Sequence, residues 1–467
     1  MQVEPKINPY NFVPLDKTPV KREPFPGWHR IGEQAFSGRL QCHLIPLSAL
    51  FSADHQNVQY EFDAMRRDKL HFLRDSQRRP ILQGTTLKGM VRAIFEAITN
   101  SCLTMAAAEG TSKKRGERVH YELASLGDHG HDKCAQWSSL CPACRLFGVI
   151  QDDEVHAQGR VAFSDAVLTE GKLETLDILL PKLSTPKPHH YGIYAQSGSQ
   201  LGPIAGRKFY YHHDPQKALA ATGEASPRAK WIAEYAPVGV RFSFTVTFHN
   251  LSKIELATLV HSIVLDDGLG HKLGMAKPAG FGSCRIQVDQ EKSFVSVGGD
   301  RYTAWKTAGN EIDVKTLKDE AGPLPDSLLE LLKLDKYEEG TIGYLSYGAY
   351  RAVTIDRKGR YKAATTVSLK GQRPKLRVPL GESDAERRTG PAHQPEPKPK
   401  VPRLKPGDRV QIEVIAKEGR VFHLRIVETG QEDFLFQSDY SPWKVGTRQR
   451  VRVAAVGAAG LVKKINP

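Results

Sequence analysis

Cysteine is scarce in this chain, with six residues in 467, too few for the disulfide scaffold of a small secreted domain. The start also lacks a targeting or membrane run. Met1 to Leu15 (MQVEPKINPYNFVPL) contains no uninterrupted apolar stretch of the length a secretory h-region or a bilayer span requires. Together these absences predict a cytoplasmic protein with no membrane partner. Acidic residues are in deficit too. Asp+Glu number 52 against 66 Lys+Arg, a net charge of +14, and such a surplus favours a polyanion, nucleic acid first, over a neutral metabolite. Hydrophobic residues at 40%, charged residues at 25%, Gly 40 and Pro 29 describe a globular chain with many turns, which excludes collagen, coiled coil and wholesale disorder. The length predicts about two to four domains.

Three of the scarce cysteines stand together. The pattern His131-x2-Cys134-x6-Cys141-x2-Cys144 offers four soft or borderline ligands at spacings that a tight turn can fold around a tetrahedral ion, so a structural Zn²⁺ held by a knuckle is expected near 129–148. His129 competes with His131 for the fourth position, and Cys102 can enter from outside the cluster. With the coordination sphere closed, the ion would have no open site for water and would not be catalytic.

Around this cluster, strand-like and helix-like runs alternate with long insertions, which predicts an α+β domain over 36–290 behind a Pro-rich leader, 1–35. Phe36–Leu50 reads as its first strand. Leu87, Val91, Ile94, Phe95 and Ile98 recur at three- and four-residue steps, the mark of an amphipathic helix. Either Thr85 or Thr86 is placed to cap it, and helix-start amides also bind phosphate. Gly110–Arg118 (GTSKKRGER) reads as an exposed basic loop, and two strands around a turn are expected over 159–180. The run Arg207-Lys208-Phe209-Tyr210-Tyr211 mixes charge with aromatic rings in the way RNA contacts do. Val238–His249 is the clearest strand, Ile254–Leu265 a helix, and the Gly-rich segment Gly268–Gly282 leads into a strand at Ser283–Val288. A dinucleotide-binding loop is disfavoured here, because that turn opens a helix whereas this one follows a helix and enters a strand. Residues 291–380 are an extension of uncertain fold with one helix, Pro325–Leu334. Residues 381–403, rich in Pro and charge, predict a linker. Beyond it, 404–467 holds five short β-type runs, as in an OB-like barrel, where Phe422, Phe434, Phe436, Tyr440 and Trp443 interleave with Arg and Lys and suit base stacking and phosphate neutralisation.

Four segments, in order, resemble the RAMP superfamily of CRISPR-associated proteins. Leu82–Arg92 (LQGTTLKGMVR) is similar to its Gly-Ser-Ser-Leu-Lys-Gly segment, Cys141–Gly148 (CPACRLFG) to its Cys-x-x-Cys-x-Leu-Phe-Gly element, Gly159–Ala166 (GRVAFSDA) to the strand that follows, and Gly274–Gly282 (GMAKPAGFG) to its Gly-rich loop. Asn8–Leu15 and Ser184–Tyr191 are also similar to a subgroup linked to type III systems. The resemblance implies a ferredoxin-like, RRM-type domain that binds guide RNA as a backbone subunit of an effector ribonucleoprotein, with target RNA and other CRISPR effector subunits as partners. Base pairing would read sequence, while the protein grips an A-form backbone by charge and shape. Thr85, Thr86, Lys88 and Arg92 would then meet phosphates, with Lys272, Lys277 and the Gly280, Phe281, Gly282 strip on the opposite side, and Arg207 and Lys208 nearby.

The resemblance also bears on catalysis. Some backbone subunits of type III complexes cut target RNA with an aspartate in the loop after the first strand, a few residues before an Arg/Lys-Asp pair. Arg74-Asp75 matches that pair, which points to Asp68, one residue from the usual spacing, with Asp54 and Asp63 as fallbacks and Mg²⁺ as the implied cofactor. Two rivals stay open. One is a repeat-RNA-processing endoribonuclease using His55, His71 or His189 as general base without metal. The other is a zinc-stabilised RNA-binding protein unrelated to CRISPR.

Overall fold

The computed structural model describes residues 7–54, 69–103, 109–114, 117–122, 130–151, 155–180, 191–195, 203–214, 230–298, 312–334, 342–344, 353–356, 358, 360–363, 409–418, 421–427, 431–437, 448–456 and 462–466. The chain divides into two compact units, 1–376 and 377–467. The predicted linker at 381–403 lies outside the described residues. Among the described residues no helix is long and apolar enough to cross a membrane.

Six elements make up the centre of the first unit: β1 (Phe36–Pro46), α1 (Gly84–Ile98), β2 (Ala166–Glu170), β3 (Arg241–Leu251), α2 (Lys253–Ile263) and β4 (Ser283–Val297). Their sheet runs β4-β1-β3-β2, with every neighbouring pair antiparallel. This βαββαβ order with two helices on one face is the ferredoxin-like arrangement. Short strands extend it: His271–Lys272 beside β4, Ile81–Leu82 beside β2, and Val161–Phe163 against the far half of β3.

Alternation explains why β3 is a strand and which face it buries. Phe242, Phe244, Val246 and Phe248 point into the core while Ser243, Thr245 and Thr247 point away. Leu40, Cys42 and Leu44 of β1 bury the same face. Against it lie Leu87, Val91 and Phe95 of α1 and Leu256, Leu259, Val260 and Ile263 of α2, in one continuous apolar cluster. Ser252 and Glu255 form a reciprocal capping box that starts α2, worth about 1 kcal/mol.

Arg160, from the GRVAFSDA segment, locks this core electrostatically. It is 2% exposed, and its guanidinium donates to the Asn250 carbonyl at 2.6 Å, to Glu255 Oε2 at 3.1 Å and to Glu255 Oε1. Burial works against ionisation of Glu255, but the hydrogen bond and charge of Arg160 outweigh it, and the carboxyl lies below its ordinary range. Arg160→Ala would leave the buried Glu255 carboxylate, among the described contacts, with only the Ser252 N–H at 2.9 Å and Arg145 at 3.9 Å, with an expected loss of about 3 kcal/mol in chemical denaturation. Because the folded state depresses the Glu255 pKa, the stabilisation from this pair is present above the unfolded value and is lost as pH falls through the folded one. The variant should therefore show a shallower loss of stability on acidification than the parent.

Several expectations are modified. The leader is built into the unit, since Tyr10–Val13 pairs antiparallel with Arg207–Tyr210. The basic stretch at 110–118 is not a loop: Glu109–Lys114 and Glu117–Glu122 pair as a hairpin. β4 runs well past Val288 to Val297, and a helix that the sequence does not advertise, Val314–Ala321, packs on α2 with Lys253 paired to Glu320 at 2.7 Å. That helix is short and buries none of its residues fully, although Val314 and Leu317 pack against the main core from one face.

The second unit is a five-stranded antiparallel sheet in the order Gln431–Gln437, Val421–Ile426, Arg409–Glu418, Arg448–Val456, Val462–Asn466. Val410, Ile412, Val414 and Val451 are buried in it. Arg448 pairs with Glu413 at 3.1 Å. Tyr440 and Trp443 lie outside the described residues.

Candidate nucleic-acid interface and metal centre

The start of α1 and the Gly-rich loop line one cleft. Its volume is about 540 Å³, and Thr86, Gly89 and Met90 of α1 face Lys272, Gly274, Met275 and Lys277 across it, with Lys208 and Tyr210 closing one end. Among the described residues that line it, none is acidic.

The Gly-rich loop is shaped by close backbone approaches. Gly274 has φ +82° and a Cβ there would sit 2.4 Å from the Phe51 carbonyl; Gly282 has φ +80° with the Leu273 carbonyl 1.8 Å away. Only glycine fits either place. Phe281 is fully buried and anchors the loop, so its ring is not available to a base. The Gly280 and Gly282 backbones are used internally as well: Gly282 N–H donates to the Ala49 carbonyl at 2.8 Å, and the Gly280 and Phe281 carbonyls accept from Lys272 Nζ at 2.8 and 3.0 Å.

These contacts leave Lys272 half-buried beside another cation. Burial brings its pKa down to about 7, opposed in part by Cys284 and helped by the smaller effect of the nearby Lys277 charge. Burial, then Lys277, likewise brings Lys208 down to about 8. Lys208 Nζ lies 3.7 Å from the centre of the Tyr10 ring and 4.9 Å from that of Tyr210. Three lysine side chains, Lys272 and Lys277 each held by backbone carbonyls, with no carboxylate among the described lining residues, make the cleft electropositive.

Other residues expected at phosphates are placed elsewhere. Neither threonine caps α1. The cap position is Gln83, without a side-chain bond, and the Gly84 N–H is instead taken by Asp165 Oδ1 at 2.7 Å, a partner from the loop before β2. Thr85 is exposed in the first turn but does not line the cleft. Lys88 sits beside Gly159, its Nζ 3.0 Å from where a Cβ would be. Arg92 is committed to Glu96 Oε1 at 2.7 Å, to the Gly148 carbonyl at 3.0 Å and to Cys144 Sγ at 3.5 Å. Arg207 is 7% exposed and donates to Glu96 and to the carbonyls of Ser101 and Cys102. Arg92 and Arg207 therefore brace the fold and are not cleft residues.

Both arginines lead to the metal centre. Cys102, Cys134, Cys141 and Cys144 are fully buried, with all four sulfurs within 4.8 Å of one another. Cys102 Sγ lies 3.6, 3.8 and 3.5 Å from the sulfurs of Cys144, Cys134 and Cys141. A tetrahedral ion with Zn–S bonds of about 2.3 Å spaces its sulfurs about 3.8 Å apart, whereas a disulfide requires about 2.05 Å. The set fits a structural metal, and all four cysteines are free thiols. His131 is corrected: its Nε2 lies 2.7 Å from Asn100 Oδ1, and Cys102, which follows α1, takes the fourth place. His129 lies outside the described residues.

The nuclease residues are scattered or undescribed. Asp63, Asp68, His55 and His189 lie outside the described residues. Asp54 is buried, its N–H donating to the His71 carbonyl at 3.0 Å. Arg74 forms a forked pair with Glu234 at 2.9 and 3.0 Å, and Asp75 holds a turn by accepting from the Gln77 and Arg79 N–H groups. Both members of the Arg-Asp pair thus have structural duties.

Among known proteins, no curated protein matches the chain. A solved chain described as "Type IV-B CRISPR Complex" is similar at 16% identity and TM-score 0.28, covering 59% of this chain and 96% of that one; at that level the likeness carries no functional argument. The family model of the RAMP superfamily matches residues 66–285. That span takes in α1, the cysteine quartet, β2, β3, α2 and the Gly-rich loop, and the match supports a RAMP-superfamily domain in this part of the chain.

Proposed function

We propose that the chain is a guide-RNA-binding RAMP subunit of a type III-like CRISPR effector ribonucleoprotein. The observation that carries this reading is the cleft between the start of α1 and the Gly-rich loop, lined by Lys208, Lys272 and Lys277 and by no acid among the described residues. A cleft of that charge suits the phosphates of an RNA whose sequence is read by pairing. The type III part of the reading is supported by the two sequence segments at 8–15 and 184–191 alone. Zn²⁺ is the proposed occupant of the cysteine quartet, where a closed tetrathiolate set supplies structure and no open position for chemistry. The C-terminal sheet, in which the strand Arg409–Glu418 pairs with both Val421–Ile426 and Arg448–Val456, is proposed as an OB-like RNA-binding barrel.

The test is to purify the full chain with its neighbouring effector subunits, extract the bound nucleic acid and sequence it. Short RNAs of repeat-spacer origin are expected. RNA of unrelated sequence would favour the RNA-binding protein outside CRISPR, and absence of nucleic acid would overturn the proposal.

A further inference from the structure

The leader and the cysteine-bearing loop 130–140 hold each other through an unusual set of contacts. Arg22 Nη1 donates to Cys134 Sγ at 2.8 Å, while Arg22 Nη2 donates to the carbonyls of Gly130 and Asp132 at 2.8 and 2.7 Å. The next residue, Glu23, exchanges both backbone hydrogen bonds with Leu140 at 2.9 Å, and Phe25 N–H donates to the Trp137 carbonyl at 2.8 Å. Glu23 also pairs with Arg145, and the Phe25 ring meets Trp137 edge-on with centroids 5.5 Å apart. On another side of the quartet stands Arg92, 3.5 Å from Cys144 Sγ.

A neutral thiol is a weak acceptor and gives a guanidinium little reason to approach, whereas a thiolate is charged and accepts strongly. Four thiolates around a dication carry a net charge of about −2, costly to bury without compensation. Arg22, Arg92 and Arg207 bring about +3 and Glu96, which pairs with the last two, about −1, so the groups around the quartet sum to about +2. The two guanidiniums that reach ligand sulfurs match a loaded quartet in kind and position, and with Arg207 and Glu96 the surrounding charge matches it in amount.

We propose that the metal-loaded quartet is a clasp for the N-terminal leader: Arg22 and Arg92 hydrogen-bond to ligand sulfurs and neutralise the centre, and through Arg22 the centre fastens leader residues 22–25 to the domain. This rests on the metal-binding reading of the quartet. It also gives the centre a bearing on the cleft, because the same leader supplies Tyr10–Val13, the pairing partner of Arg207–Tyr210, and the Tyr10 ring beneath Lys208. Arg92, whose place in the motif suggests phosphate, serves the metal centre in this chain.

The experiment uses the zinc-loaded full chain. Metal content is measured by mass spectrometry, zinc transfer to a chromophoric chelator is timed, and amide hydrogen exchange is followed over residues 10–25. Arg22→Ala is expected to speed zinc transfer about tenfold or more, as loss of a group that orients metal ligands does, and to raise exchange over 10–25. Lys21→Ala, whose side chain is exposed and pairs only with Glu23 among the described contacts, should leave both unchanged. Stripping the parent protein of metal should raise exchange over 10–25 without any substitution. Arg22→Ala with parental transfer rate and parental exchange, or stripped parent with unchanged exchange, would overturn the clasp. A parent chain that takes up no zinc at all would instead overturn the metal reading beneath it.

Discussion

Cys141→Ser should abolish metal binding and lower the stability of the first unit by on the order of 5 kcal/mol or more, since structural zinc supplies roughly 10–16 kcal/mol of binding free energy in small sites. The effect is large because the quartet is part of the main apolar cluster and not an appendage: Cys102, Cys134, Cys141 and Cys144 pack with Phe95, Leu146 and Phe147. Its loss leaves three buried thiols and frees the 130–140 loop. Cys42 and Cys284 are also buried but stand in β1 and β4, away from the quartet, so Cys42→Ala should cost only about 1–2 kcal/mol. Metal stoichiometry and thermal unfolding check this. A Cys141→Ser protein that melts with the parent, together with a parent that holds no zinc, would refute the assignment.

The triple variant Lys208→Ala, Lys272→Ala, Lys277→Ala should bind RNA at least about 100-fold more weakly at moderate salt, with the slope of log affinity against log salt smaller by roughly 2. A parental salt slope would show that the phosphates lie elsewhere. The cleft also predicts a pH signature whose sign differs between binding and stability. With Lys272 near 7 and Lys208 near 8 in the free protein, both are charged at pH 6.5 and the cleft is ready for phosphate. As pH rises to about 8.5 the protein must take up protons to bind, and affinity falls. Stability moves the other way. The folded state binds fewer protons than the unfolded chain between these depressed values and about 10.4, so unfolding free energy rises with pH across that window. Lys272→Met should flatten both trends.

The sequence carries the helix and strands well because packing on one face writes itself as periodicity. Leu87, Val91, Ile94 and Phe95 mark α1, and the alternating residues of β3 mark a strand with one buried face. It carries the fourth sulfur poorly. Cys102 stands 32 residues before Cys134 and comes to it only because α1 ends there, a tertiary fact that spacing does not encode. Arg207 and Lys208 show the same limit at closer range. They are neighbours on one strand, so the pleat sends them opposite ways, Arg207 to the carbonyls of Ser101 and Cys102 and Lys208 into the cleft. A basic-aromatic run in sequence says that such residues exist, not which of them faces an anion. Asp165 at the Gly84 amide has a local hint, since an aspartate beside a turn often accepts from backbone N–H groups, but the amide it finds is 81 positions away.

The central place of β1 has a consequence for biosynthesis. Its two sheet neighbours are β3 and β4, which start at Arg241 and Ser283, while β1 itself ends at Pro46. At about 5–20 residues per second, a ribosome needs roughly 10–40 s to reach the first of them. Throughout that interval both hydrogen-bonding edges of Phe36–Pro46 await their mates on a nascent polypeptide, with Leu40, Cys42 and Leu44 uncovered. Productive maturation of this subunit therefore depends on keeping that segment from premature association until the last third of the domain has emerged.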